Sequence, residues 1–179
     1  MDKKTFEKEL KKQPKTVDMK YMDEVIDKSL SNITHNYPGL KNAIIVMEEC
    51  GELIQEIMNY ENGKNNRSDL LQELADVELG IYWLMKIFKI SEEKLENTSR
   101  SKGPYTHVEI MTTKVLGRFV QEISKAIRDK NDHNELLQSM VDTRYAIRRY
   151  MKRYDIKKEE LNKAMNVKLN RQKKRGLNY

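Results

Sequence analysis

The chain has 179 residues, a length that suits one domain or two small helical units sharing a core. Charged residues make up 35% of it, and it has only 7 glycines and 3 prolines, a composition typical of helices rather than sheets. No apolar run approaches the roughly 20 residues that span a bilayer, and the first residues lack the apolar stretch of a signal peptide. The single cysteine, Cys50, excludes an internal disulfide and is expected in the core. We therefore predict a cytoplasmic all-α protein that does not span a membrane.

The net charge of +6 is unevenly distributed along the chain. Residues 1–104 contain 16 Lys and Arg against 19 Asp and Glu, whereas residues 105–179 contain 18 against 9. The two parts therefore carry formal charges of −3 and +9. Such a basic half favours an anionic partner such as phosphate groups, although a solubilising surface would have the same composition.

Apolar residues recur at helical spacing from Val17 onward. Four helices are predicted in the first part of the chain: residues 17–30, residues 40–62, residues 68–88, and a short helix capped by Ser91. Residues 36–39 (Asn-Tyr-Pro-Gly) and the polar turn 63–67 separate the first three helices, and Gly103-Pro104 closes this part.

The second half of the chain repeats the first. Residues 48–102 align without a gap on residues 114–168 after a shift of 66 positions, and 17 of the 55 pairs are identical. Chance similarity between amphipathic helices rarely keeps its register through three helices and two turns. We interpret the chain as a pseudo-dimer in one polypeptide: an N-terminal helical extension (1–39), a first helical module (40–103) and a second module with a basic tail (104–179).

Two pairs of carboxylates lie in the first module. Glu49 and Glu52 are three residues apart on one predicted helix, and Glu73 and Asp76 are three apart on the next, so each pair lies on one side of its helix. The short turn predicts antiparallel packing that brings all four together. Oxygen ligands without His or Cys favour Mg²⁺, or Mn²⁺, over zinc. The alternative is a set of ordinary solvated glutamates.

The second module has lost this pattern. The aligned positions are Val115, Arg118, Ser139 and Asp142, so three of the four carboxylates are gone while the apolar frame persists. If Glu49 and Glu52 were only solvated surface residues, polar residues would be expected at the aligned positions, but these positions hold the apolar Val115 and the cation Arg118. This contrast favours a metal site in the first module alone.

The pattern Glu48-Glu49-Cys50-Gly51-Glu52, followed by Glu73-Leu74-Ala75-Asp76, resembles the signature of the all-α nucleoside triphosphate pyrophosphohydrolases. This superfamily includes MazG proteins, dimeric dUTPases, dCTP pyrophosphatases and phosphoribosyl-ATP pyrophosphatases. The resemblance covers residues 40–102 well and residues 106–175 as a degenerate copy. It implies that Glu49, Glu52, Glu73 and Asp76 bind magnesium. It further implies attack of water on the α-phosphorus of a nucleotide, with Glu48 or Glu52 orienting or deprotonating that water.

On their final helix, family members carry a Lys, an Asn and an Arg that contact the phosphates of the substrate. Here the second module ends with Lys168, Asn170, Arg171, Lys174 and Arg175, and the first module keeps only Lys102 of this set. We therefore expect the first module to supply the metal ligands and the second to supply cations to one shared site. A frayed basic tail is the alternative.

Several other side chains are weaker candidates. Trp83 continues the face of Glu73 and Asp76 and is the better candidate for stacking on a base, ahead of Tyr82, although aromatics at helical spacing usually belong to a core. For the turn residues Lys64, Asn65 and Arg67 we favour no function. The basic stripe of Arg144, Arg148 and Lys152 is predicted to be a solvated face or a contact with acidic groups of a partner subunit.

Three functions are compatible with these features. The first is a magnesium-dependent pyrophosphohydrolase that converts a (d)NTP to a (d)NMP and pyrophosphate in nucleotide-pool control. The second is a catalytically weak nucleotide-binding regulator with the same fold. A basic helical protein that binds nucleic acid is the least favoured, because no known nucleic-acid-binding motif is present. The duplication predicts either a monomeric pseudo-dimer or a homodimer.

Overall fold

The computed structural model describes residues 2–31, 38–101, 107–128 and 133–176, and these residues form eight α-helices and no strand. The helices are α1 (Lys3–Leu10), α2 (Met19–Ser31), α3 (Pro38–Glu61), α4 (Arg67–Ile87), α5 (Glu92–Asn97), α6 (Val108–Arg128), α7 (Asn134–Arg153) and α8 (Lys158–Gly176). The prediction of an all-α helical bundle is confirmed. Within the described ranges, no helix is long and apolar enough to cross a membrane.

The predicted helix boundaries in the first part agree with the structure to within two residues, because capping residues mark them. The side chain of Asn66 caps α4 by accepting from the backbone N–H of Ser68 at 2.9 Å, and Ser91 Oγ accepts from the N–H of Lys94 at 3.1 Å. Helix α1 was not predicted. Gly103-Pro104, Lys102 and residues 36–37 of the predicted break lie outside the described residues, and helix α3 begins at Pro38 within that break.

The bundle is built on two helical hairpins. Helix α3 packs antiparallel on α4, α6 packs on α7, and the two hairpins meet mainly through α3 and α6. Helix α8 lies on α4, and α1 and α2 cover α8. Cys50 is fully buried in the core between these helices, as predicted.

The close approach of α3 to α4 depends on Gly80. A Cβ atom at this position would lie 2.9 Å from Cγ1 of Val46, which is shorter than real carbon contacts. The missing side chain therefore lets the two helices pack tightly one turn beyond Asp76, next to the predicted metal ligands.

The two halves share an unusual local structure. Lys89 and Asp155, 66 positions apart, are the two non-glycine residues with positive φ in the described chain, at 53° and 51°. Each turn is closed by the same backbone hydrogen bond, from Ile90 N–H to Met85 O at 2.9 Å and from Ile156 N–H to Met151 O at 2.8 Å. These matching turns support the duplication, which stays a prediction.

A buried ion pair joins the two hairpins. Arg144 Nε lies 3.0 Å from Oε1 of Glu78, and its Nη1 donates to Oε1 of Glu92 at 2.7 Å. Its guanidinium also lies 4.5 Å from the ring centre of Tyr82. The prediction of a solvated stripe is wrong for Arg144, whose side chain is only 7% exposed, because acidic groups of its own chain surround it. Arg148 and Lys152 are exposed.

Glu78 and Arg144 are also equivalent positions under the shift of 66 residues. If two identical modules paired symmetrically, a residue that contacts its own equivalent would lie on the two-fold axis. A charged residue at that position would then face the same charge on the other module. Opposite charges at these two positions thus stabilise the pairing of one module with the other module of the same chain.

We predict that Arg144→Met lowers the free energy of unfolding by about 3–5 kcal/mol, because it removes the ion-pair partner of the buried Glu78 and leaves only the exposed Arg148 to offset its charge. The double variant Glu78→Gln/Arg144→Met should recover part of this loss. Denaturant unfolding of both single variants and the double variant measures the coupling. Lys152→Met on the same helix is the control and should cost less than about 0.5 kcal/mol. Additive losses in the double variant would contradict the prediction.

Candidate metal centre

Three carboxylates converge where α3 packs on α4. Glu49 and Glu52 come from α3 and Glu73 comes from α4, and one carboxylate oxygen of each lies within 4.8 Å of those of the other two. Oxygen ligands about 2.1 Å from Mg²⁺ are separated by up to about 4.2 Å across the ion. The three groups are thus close enough to bind one divalent cation after small side-chain rotations.

The environment of this cluster destabilises its negative charge. One oxygen of Glu73, Oε2, is buried and has no hydrogen-bond partner. Burial and, after it, the nearby charge of Asp76 raise the pKa of Glu73 to about 8 and that of Glu49 to about 7. Glu52, at the exposed rim, adds a smaller repulsion to both.

Asp76 is held by a cation from the other half of the chain. Lys168 Nζ on α8 donates to Oδ2 of Asp76, and both side chains are largely buried. Burial raises the pKa of Asp76, whereas Lys168 and the more distant Arg171 oppose that rise. Lys168 also lowers the pKa of Glu49 and Glu73, so its charge acts on the whole cluster.

This donor set fits a hard divalent cation. All the converging ligands are carboxylate oxygens, and the buried Oε2 of Glu73 lacks the partner that a buried charged oxygen requires. A cation would supply that partner and offset both the burial and the repulsion that raise the pKa values of Glu49 and Glu73. Glu49, Glu52 and Glu73 would therefore hold the ion, with Asp76 beside them.

The remaining predicted site residues differ in their exposure and contacts. Glu48 is exposed on α3 and acts on Glu49 electrostatically. Trp83 is partly buried against the core, and Lys174 is exposed near the end of α8. Tyr82 lies against Arg144, so its ring already has a cation as a neighbour.

Asn170 faces away from the carboxylates. Its Oδ1 accepts from the hydroxyl of Tyr21 at 2.8 Å, and its Nδ2 donates to Oε1 of Gln13 at 3.1 Å. Both partners belong to the N-terminal extension. Its predicted contact with phosphate would require Asn170 to leave these partners.

Asn170 is one of three asparagines that bind the N-terminal segment. Asn162 Nδ2 donates to the carbonyl of Lys15 at 2.9 Å, and Asn166 Nδ2 donates to the carbonyl of Thr16 at 2.9 Å and to that of Pro14 at 3.2 Å. The spacing of 162, 166 and 170 places the three amides on one face of α8. That spacing is visible in the sequence and could have identified this contact.

Two residues of the polar turn between α3 and α4 bind neighbouring elements. Arg67 pairs with Glu160 at 2.8 Å and donates to the carbonyls of Tyr154 and Asp155. Asn65 donates to Oε2 of Glu56 at 2.7 Å. These contacts attach the turn to its own helix α3 and to the start of α8.

The corresponding position in the second hairpin has a different environment. Asp142 is buried, and its Oδ1 accepts from the backbone N–H of Ser101 at 2.7 Å and from Nε2 of Gln138 at 3.2 Å. Its neighbour Ser139 is also buried. Of the four positions aligned with the carboxylate cluster, only Asp142 is acidic in this half, and neutral donors satisfy its Oδ1.

Comparisons of the chain with protein-family models, with curated proteins and with solved structures found no match. The functional inference therefore depends on the geometry and chemistry of the residues at this cluster.

We predict that the metal-free protein loses stability between about pH 5 and pH 8. The folded-state pKa values of Glu49 and Glu73, about 7 and 8, lie above the ordinary value, so these groups favour folding while protonated and oppose it once ionised. The loss should be on the order of 1–3 kcal/mol after solvent screening.

Thermal unfolding in EDTA across this pH range measures the loss. Glu73→Gln should flatten the profile and be more stable than wild type at pH 8. Mg²⁺ should stabilise the wild type at pH 8 more than at pH 5, because metal binding requires the ionised groups. Identical profiles for wild type and Glu73→Gln would contradict this assignment.

Proposed function

We propose that this chain is a magnesium-dependent nucleoside triphosphate pyrophosphohydrolase of the MazG-like kind, which controls a nucleotide pool. The observation that supports this most directly is the convergence of Glu49, Glu52 and Glu73 beside the pair formed by Asp76 and Lys168. Hydrolysis of a phosphoanhydride needs a metal to neutralise phosphate oxygens and cations to hold the remaining negative charge. This site combines acidic groups and cations from different helices.

Each group has a role in the proposed reaction. A divalent ion held by Glu49, Glu52 and Glu73 supplies Lewis-acid chemistry: it neutralises phosphate charge and makes water easier to deprotonate. Lys168 and Arg171 on α8 bind phosphate oxygens of the nucleotide. Glu52 or Glu48, both exposed on α3, orients the water and takes its proton.

The proposed reaction forms one bond and breaks one. The oxygen of water forms a bond to the α-phosphorus, and the bond from the α-phosphorus to the oxygen that bridges the α- and β-phosphates breaks. The products are a nucleoside monophosphate and pyrophosphate, and the proton of water passes to the carboxylate.

The test is incubation of the protein with Mg²⁺ and a panel of ribo- and deoxynucleoside triphosphates, with products separated by ion exchange. Reaction in ¹⁸O-water should place the label in the monophosphate, because water attacks the α-phosphorus. Asp76→Asn and Glu73→Gln should each lower kcat by about 10²–10³-fold, because each variant weakens the hold on the metal that would stabilise charge on the phosphate oxygens in the transition state.

Asp142→Asn is the matched control, because Asp142 is the equivalent of Asp76 in the second half and contacts neutral donors. It should retain wild-type turnover. Label in pyrophosphate would indicate attack on the β-phosphorus instead. Absence of turnover in a folded protein that binds Mg²⁺ would favour a nucleotide-binding regulator and contradict the proposal.

A further inference from the structure

The cluster contains a cation of the chain itself. Lys168 Nζ donates to Oδ2 of Asp76, and the two side chains are only 13% and 14% exposed. The lysine comes from α8, 92 residues along the chain from Asp76, so the contact exists only because α8 packs on α4. Lys168 therefore occupies one side of the site that divalent cations would enter.

When all four carboxylates are ionised, the formal charges at the site do not balance without a further cation. Glu49, Glu52, Glu73 and Asp76 contribute four negative charges when ionised, and Lys168 and Arg171 contribute two positive charges. The difference is −2, the charge that one divalent ion neutralises. If Lys168 leaves, the deficit grows to −3 and the site attracts metal more strongly.

A divalent ion that uses Oδ2 of Asp76 competes with Lys168 for the same oxygen. A displaced ammonium group in this partly buried position needs another anion, because an unpaired buried charge is costly. The phosphates of a nucleotide provide that anion. The four-carbon stem of lysine allows Nζ to move by several ångströms while α8 stays in place.

We propose that Lys168 is a built-in counter-cation that couples metal binding to nucleotide binding. Before nucleotide binds, Lys168 pairs with Asp76 and weakens the affinity of the site for divalent metal. A polyphosphate draws the ammonium group away from Asp76, and the site then binds metal tightly. This inference rests on the proposed function and adds to it the order in which nucleotide and metal bind. Because Lys168 weakens metal binding until nucleotide arrives, little metal binds in the absence of substrate.

The test measures the affinity of the full-length protein for Mn²⁺ alone, by calorimetry without nucleotide. Lys168→Met should bind Mn²⁺ about 10-fold more tightly than wild type, within the range of typical coupling between sites. Lys168→Gln should shift the affinity in the same direction and serves as the second variant if Lys168→Met does not fold. Lys168→Arg keeps the charge and should remain close to wild type.

Two controls define the site of the effect. Lys163→Met removes a lysine from the same helix and should leave the Mn²⁺ affinity unchanged. Glu73→Gln should weaken Mn²⁺ binding and thereby locate it at the cluster. The same affinity, or a weaker one, in Lys168→Met and Lys168→Gln would overturn the inference while leaving the pyrophosphohydrolase proposal intact. Absence of Mn²⁺ binding and of nucleotide turnover in the wild type would overturn both.

Discussion

The structure depends on how the charge of four carboxylates is balanced at the contact between α3 and α4. Gly80 lets these helices approach closely, and the same approach brings Glu49, Glu52 and Glu73 within reach of one ion. Repulsion and burial raise the pKa of Glu49 and Glu73, so the fold holds these groups at a cost. Carboxylates with strongly raised pKa values are typical of functional sites, and a bound cation would offset much of the unfavourable energy of ionising them.

Helix α8 links the carboxylate cluster to the N-terminal segment of the chain. Lys168 extends to Asp76 on one face, whereas Asn162, Asn166 and Asn170 hold the segment around residues 13–16 on another. Because the N-terminal extension fixes α8, it also fixes the position of the cations relative to the carboxylates. The segment that the sequence left without a role therefore supports the site indirectly.

Local patterns in the sequence predict the parts of this fold that depend on local chemistry. The apolar periodicity predicts both ends of α4 to within one residue, Ser91 predicts the start of α5, and i, i+3 spacing predicts the carboxylate pairs. The resemblance led us to expect Lys168 near the carboxylates, but other contacts between distant segments were missed. Arg144 looked solvated because its burial depends on Glu78 and Glu92, and the short α1 contributes only Phe6 to the buried core. The pairing of Lys168 with Asp76 follows from the packing of α8 on α4, which no local pattern encodes.

The two halves of the chain carry different charged groups at aligned positions. If they arose by duplication, each ancestral module would have had both a carboxylate cluster and a cationic final helix. In this chain the first half keeps the carboxylates, and the second half supplies Lys168 and Arg171 while Asp142 is satisfied by neutral donors. The opposite charges of Glu78 and Arg144, at equivalent positions, favour pairing of unlike halves over like ones. Within this chain, the cation that pairs with Asp76 of the first half is Lys168 of the second half.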